Sequence, residues 1–181
     1  MPSALRRQST NAGTLWAATG TGRVFISDNA DAAAGSVVWH RVDPNPAATT
    51  NPNRFITGMA IDPANPHHGW IAYSGYNFNT PLQPGHVFEV TWSGTGAATF
   101  LDVSHDLPDL PITDVAFDDV TGDLYASSDF GVMRLPSGSA SWTVAGTGLP
   151  MVEVPSLTIV PEQRLIYAAT HGRSAWSLKL P

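Results

Sequence analysis

Leu124-Tyr125-Ala126-Ser127-Ser128-Asp129 is the clearest copy of a strand that recurs along this chain, and its recurrence decides the fold. Leu15-Trp16-Ala17-Ala18-Thr19-Gly20, Trp70-Ile71-Ala72-Tyr73-Ser74-Gly75 and Ile166-Tyr167-Ala168-Ala169-Thr170-His171-Gly172 are the other copies. Each is an apolar strand that ends in a short polar loop. A spacing of roughly 40 to 55 residues is that of a four-stranded propeller blade. The chain therefore reads as all-β, a β-propeller of about four blades.

Composition agrees. The 181 residues suffice for one well-buried domain, with 43% hydrophobic and only 13% charged residues. Sixteen glycines and fifteen prolines suit short strands joined by many tight turns. No window is long and apolar enough to cross a bilayer, and Met1 to Thr10 carries basic residues without the apolar core of a signal peptide. A net charge of −6 with nine scattered Lys plus Arg argues against nucleic acid, and no membrane partner is read. Cysteine is absent, which removes disulfides and thiolate chemistry. Lys179 as the single lysine, among abundant Asn, Thr, Ser and Gly, is a composition of exported bacterial proteins and points to an extracellular or periplasmic site.

With strands lettered a to d from the propeller axis outward, the blades are read at about 14–54, 55–111, 112–153 and 154–181. The second places a at Phe55 to Ile61, b near Gly69 to Ser74, c at His86 to Trp92 and d near Ala98 to Val103. The third places a at Ile112 to Phe117, b at Leu124 to Ser128, c at Gly131 to Leu135 and d at Ser141 to Ala145. The terminal blades read as incomplete. Residues 1–13 are polar and irregular, leaving blade one without an a strand, and the last unit has a, b and c but no d. Such a stack reads as a fragment or half-propeller: either further blades precede it, or a homo-oligomer completes the ring, or Met1 to Gly13 supplies a closing edge strand.

The stretch from Leu124 to Val132, then Gly146-Thr147-Gly148-Leu149-Pro150, Val154 to Val160 and Tyr167 to Trp176, resembles the closing repeats of bacterial neuraminidase-repeat (Asp-box) propellers. These include sortilin-like and xyloglucanase-like proteins of the glycosyl hydrolase superfamily. The resemblance covers residues 112–181 well and 14–111 loosely. Its hallmark hairpin, Ser-x-Asp-x-Gly-x-Thr-Trp, begins at Ser27-Asp28-Asn29, where Ala30 to Ala34 are inserted before Gly35 to Trp39. In the third blade only Pro136 to Trp142 remains and the Asp is lost. The resemblance implies that Asp28, Trp39 and Trp142 serve the fold rather than a ligand.

Strand order puts the b–c and d–a connections on one face, which gathers Tyr76, Asn77, Phe78, Asn79, His86, His105, Asp106, Asp109, Asp129, His171 and Arg173. The d–a loop Asp43 to Arg54 belongs to the same face. Aromatic platforms beside Asn and Asp suit carbohydrate, and loops on a rigid scaffold are where binding concentrates. The loop Gly75 to Gly85 is the best binding candidate, against a role as a cover over a neighbouring blade. Candidate ligand-binding residues are Tyr76, Asn77, Phe78, Asn79, His86, His171 and Arg173. A glycosidase needs two carboxyl groups roughly 5 to 9.5 Å apart, one kept protonated, and Asp106, Asp109 and Asp129 are the catalytic candidates.

Asp62, Asp118, Asp119 and Asp123 fall in a–b turns on the other face and read as turn residues. Neither Asp28-Asn29-Ala30-Asp31 nor His67-His68 has the spacing of a metal site, and no metal or cofactor is expected. The leading reading is a non-catalytic module binding carbohydrate or a protein surface. The alternatives are a glycoside hydrolase, whole or its carboxy-terminal half, and a structural scaffold segment.

Overall fold

The computed structural model describes residues 2–43 and 51–181. Among these, fifteen strands form four antiparallel sheets, each a simple meander. Blade one holds β1 (Pro2–Arg7), β2 (Leu15–Thr19), β3 (Val24–Ser27) and β4 (His40–Arg41). Blade two holds β5 (Ile56–Ile61), β6 (His68–Tyr73), β7 (Val87–Thr91) and β8 (Thr99–Asp102). Blade three holds β9 (Ile112–Asp118), β10 (Asp123–Ser128), β11 (Gly131–Leu135) and β12 (Thr143–Val144). Blade four holds β13 (Ser156–Val160), β14 (Leu165–Ala169) and β15 (Ala175–Lys179). The fold is the β-propeller arrangement read from the repeat.

Residues 1–13 are not irregular throughout. β1 is the inner strand of blade one, antiparallel to β2 with Leu5 opposite Ala17 and Arg7 opposite Leu15. It escapes a hydrophobic reading because it is nearly all exposed or half-buried, and only Ala4 packs into the core. The d–a loop assigned to Asp43–Arg54 lies partly outside the described residues.

The core follows from the alternation of strand side chains. Trp16, Val24 and Ile26 of blade one pack with Met59, Ile71, Tyr73 and Phe88 of blade two. Trp70, Ala72 and Val87 of blade two pack with Val115, Leu124 and Trp142 of blade three. Tyr125 and Val132 of blade three pack with Leu157, Ile166 and Ala168 of blade four. Among the described residues no such cluster joins blade four to blade one.

The inner strands β1, β5, β9 and β13 contact one another in that order. Asp114, on β9 and only 3% exposed, ties them together. Its Oδ2 accepts the Leu157 N–H of blade four at 2.9 Å and the Ser156 hydroxyl at 3.3 Å. Its Oδ1 accepts the Val115 N–H at 2.9 Å and a 3.5 Å contact from Arg6 of blade one. The same Arg6 donates from Nε to the Met59 carbonyl of blade two at 2.9 Å. Burial pushes the Asp114 pKa up, and these donors oppose the shift. Gly58 makes room for the carboxylate: a Cβ there would lie 2.3 Å from Asp114 Oδ1 and 2.8 Å from its Cα. Threonine hydroxyls add further seams, with Thr57 donating to the Ile112 carbonyl at 2.7 Å and Thr113 to that of Val154 at 2.5 Å.

Asp114→Asn replaces an acceptor of four donors by a group that is half donor, leaving buried N–H groups unmatched. We expect it to destabilise the protein by about 2–4 kcal/mol in urea unfolding. Asp119→Asn, at an exposed turn position, should change stability by less than about 0.5 kcal/mol. Equal effects would show that Asp114 does not join the blades.

Candidate functional site

The loop between β6 and β7 is built around a buried arginine. Arg54 lies just before β5, and its guanidinium passes under the loop. Nε donates to the Ser74 carbonyl at 3.0 Å, and Nη1 to the Tyr76 carbonyl at 3.2 Å, the Asn77 Oδ1 at 3.4 Å and the Thr80 hydroxyl at 3.0 Å. Nη2 donates to the Gly85 carbonyl and approaches His86 Nδ1 at 3.4 Å. Arginine can only donate, so Nδ1 of His86 accepts and Nε2 carries the proton. That proton is donated to Asp109 Oδ1 at 3.0 Å. Asp109 also accepts the Asn77 N–H at 2.8 Å, and Asn77 Oδ1 accepts the Gly85 N–H at 2.8 Å. A short 3-10 turn, Asn77–Asn79, completes the loop.

Asn77, His86 and Asp109 are thus brought together, but as the loop's internal frame. His86 is 1% exposed and cannot meet a ligand. Burial, reinforced by the adjacent Arg54, holds its pKa below the ordinary histidine value, with Asp109 opposing. The loop presents large apolar side chains outward, beside exposed Asn79. Tyr76 and Phe78 stack with ring centroids 6.0 Å apart, Phe78 is 75% exposed and Leu82 is 95% exposed. Asn79 spends its Oδ1 on the Tyr76 N–H at 3.2 Å.

The remaining site candidates stand apart. Asp129 sits in the tight turn between β10 and β11. His171 is exposed and contacts Glu153 at 3.0 Å. Arg173 offers its carbonyl to the Trp176 indole N–H at 3.0 Å, within a turn closed by Thr170 and Ser174. Asp106 points to the neighbouring blade, accepting the Ser141 hydroxyl at 2.5 Å and the Trp142 N–H at 2.7 Å. These bonds, Ser141 first, hold its carboxyl below the ordinary pKa. A general acid needs the opposite shift. Asp106 and Asp109 serve different elements and share no partner.

Asp106 also supplies what the third-blade hairpin lacks, a carboxylate on its backbone, while buried Trp142 donates its indole N–H to the Val103 carbonyl at 3.0 Å. In the first blade Asn29, not Asp28, bridges the hairpin, accepting the Val38 N–H at 2.8 Å and donating to the Ser36 carbonyl at 2.9 Å. Asp28 contacts His67 of blade two at 2.9 Å, and Trp39 remains exposed. The turn aspartates act structurally: Asp118 grips Arg164 of blade four at 2.5 and 2.8 Å, and Asp123 grips Arg134 at 2.6 Å.

His68 does have carboxylate partners, Asp62 at 2.9 Å and Glu89 at 2.7 Å. It borders a groove of about 350 Å³ between blades two and three, beside the stacked rings of Trp70 and Phe117. Burial works against its charged form, but the two carboxylates outweigh it and raise the pKa. Among the described residues no group of three potential ligands could hold a metal ion. Neither Arg54 nor Asp114 is legible in the sequence as an organising residue. An ionisable residue inside an apolar inner strand was the available signal for Asp114, whereas nothing local marks Arg54.

No protein-family model matches the chain, and no curated protein matches it. Among solved structures 480 chains are similar, which marks the scaffold as widely used. One belongs to the "Crystal Structure of Mitotic Checkpoint Complex", with a TM-score of 0.65 and 12% identity. The match covers 99% of this chain and 51% of that one, so this chain spans about half its length. At that identity the likeness establishes the fold alone.

The two histidines should tilt the pH profile in opposite directions. The His86 pKa is depressed, so below an unfolded value of about 6.5 the unfolded chain binds a proton that the folded protein refuses, and stability falls with pH until the folded pKa is passed. The His68 pKa is raised, so its contribution is complete below about 6.5 and is lost as pH rises through the folded pKa. In urea titrations across about pH 5 to 8, His86→Gln should flatten the acid limb and His68→Gln the alkaline limb. Unchanged slopes in both variants would contradict this assignment.

Proposed function

We propose that the protein is a non-catalytic binding module that docks a protein surface on its b–c and d–a loop face. One observation carries the reading. Phe55, Tyr76, Phe78, Leu82, Phe130 and Met151 are all exposed, and all lie in or beside these connections. Strand order puts those connections at one face of the propeller, and exposed apolar side chains gathered on one face favour a partner over solvent. The Arg54 frame holds the Gly75–Gly85 loop in advance of binding, which limits the entropy lost on docking.

Carbohydrate is the second reading, since the Tyr76–Phe78 pair offers ring faces to a sugar. Its weakness is chemical. The Asn77 and Asn79 oxygens that would meet hydroxyl groups are already bonded within the loop. A glycoside hydrolase is supported less, because Asp106 and Asp109 are each committed to backbone and side-chain donors.

The test is site-specific photo-crosslinking from position 78, compared with exposed Val120 on the opposite face, in extracts and culture medium of the source organism. We expect discrete protein adducts at 78, absent at 120 and lost when Leu82→Ser is added, with stability unchanged within about 0.5 kcal/mol. Equal labelling from both positions would sink the reading. Binding to a glycan array that is lost in Phe78→Ser would replace it with the carbohydrate one.

A further inference from the structure

A second site, built on strands rather than on the long loop, lies in the groove between blades two and three. Its blade-two wall follows from strand pairing. Trp70 on β6 stands opposite Glu89 on β7, so both side chains leave the sheet on the same face, the one turned to blade three. Phe117 of β9 stacks on Trp70 with ring centroids 4.1 Å apart, and Val103, Leu124 and Leu135 give the rest of the groove an apolar lining. The space is about 350 Å³ and open to solvent, the scale of a small-ligand site.

Polar capacity in this groove is left unused. Trp70 is 6% exposed, yet its indole N–H donates to no group among the described residues. The indoles of Trp16, Trp92, Trp142 and Trp176 each donate to a backbone carbonyl. A donor so nearly buried is normally paired. This one is not sealed from solvent, so it opens on the groove that Trp70 lines. Glu89 supplies the other free group. Its Oε1 contacts His68 Nε2 at 2.7 Å, while Oε2 has no partner among the described residues and the side chain is 33% exposed.

Electrostatics select the ligand. Asp62 and Glu89 share one imidazole, that of His68, so the trio keeps a net negative charge even when the histidine is protonated. No lysine or arginine lines the groove. A cation is therefore favoured at Glu89, and a carbonyl acceptor at the Trp70 N–H. A guanidinium on a methylene stem suits these walls. It is planar, weakly hydrated for its charge and able to give a carboxylate two donors, and its stem packs on apolar side chains such as Val103, Leu124 and Leu135.

We propose that this groove binds an arginine side chain of a partner polypeptide, with the guanidinium on Glu89, the stem along the apolar wall and a neighbouring peptide carbonyl accepting the Trp70 indole N–H. His68, held from its other side by Asp62 at 2.9 Å, is a positioning residue that fixes the Glu89 carboxylate. The site does not rest on the Phe78 loop and stands or falls without it.

The probe is N-acetyl-arginine amide, titrated into the isotope-labelled full chain and followed by nuclear magnetic resonance of the indole N–H groups. The Trp70 signal should move saturably as its N–H gains an acceptor, and those of Trp16 and Trp92, already bonded to carbonyls, should stay. N-acetyl-citrulline amide has the same shape without the charge and should bind at least about tenfold more weakly, the scale of one charge-assisted pair. Propylguanidine keeps the cation but carries no carbonyl, and should bind severalfold more weakly. Glu89→Gln should weaken binding of the arginine amide by about tenfold while leaving circular dichroism unchanged. The proposal is overturned by a Trp70 signal that does not move, or by citrulline binding as tightly as arginine. Propylguanidine binding as tightly would also overturn it, assigning the groove to free guanidines instead. None of these ligand changes can disturb folding of the protein.

Discussion

A single buried carboxylate sets the geometry on which the other features rest. Asp114 lies where inner strands of different blades converge, and its two oxygens accept from blade four, from its own strand and from Arg6 of blade one. Sheets packed face to face by apolar side chains alone can slide, because dispersion has little direction. Hydrogen bonds to a fixed carboxylate do have direction, and they index β9 against β13 and, through Arg6, against β1. Gly58 is the complementary constraint, since any side chain there would occupy the space of that carboxylate.

The same device recurs further out. Arg54 is surrounded mainly by carbonyl oxygens, so a cation organises backbone that would otherwise have unpaired acceptors. His86 passes this order to Asp109 and thereby to the start of the Gly75–Gly85 loop. Asp106 bridges blades two and three by accepting from the Ser141 hydroxyl and the Trp142 backbone. These polar groups are consumed in making loops definite. Exposed apolar side chains, among them Phe78, Leu82, Phe130 and Met151, remain on these connections beside charged ones such as His171 and Arg173.

The strands were legible wherever an apolar repeat coincided with burial. β11 lies where Gly131 to Leu135 reads as a strand, and β14 on the repeat copy that begins at Ile166. β1 was not, because a strand at the axis with one unpartnered face buries little and shows no alternation. The outer strand of blade one is only His40–Arg41, and a 3-10 turn at Ala34–Ser36 precedes it. The candidate site was legible as a loop and as a set of polar residue types. Its internal economy was not, because Arg54, His86 and Asp109 are separated by more than twenty residues at each step and meet only when the strands and loops of blade two come together.

The sequence by itself determined the repeat unit, the all-β class, the approximate strands of each blade and the connections that share a face. All of these follow from local periodicity and turn chemistry, which act over a few residues. Only the tertiary structure decided which polar groups are spent and which are free. Asp106, Asp109 and His86 looked like candidates for chemistry, but the folded chain brings donors and acceptors to each of them, to Asp106 from blade three and to Asp109 and His86 from within and beside blade two. Whether a carboxylate is available depends on what lies within about 3 Å of it, and in a propeller those neighbours come from distant parts of the chain.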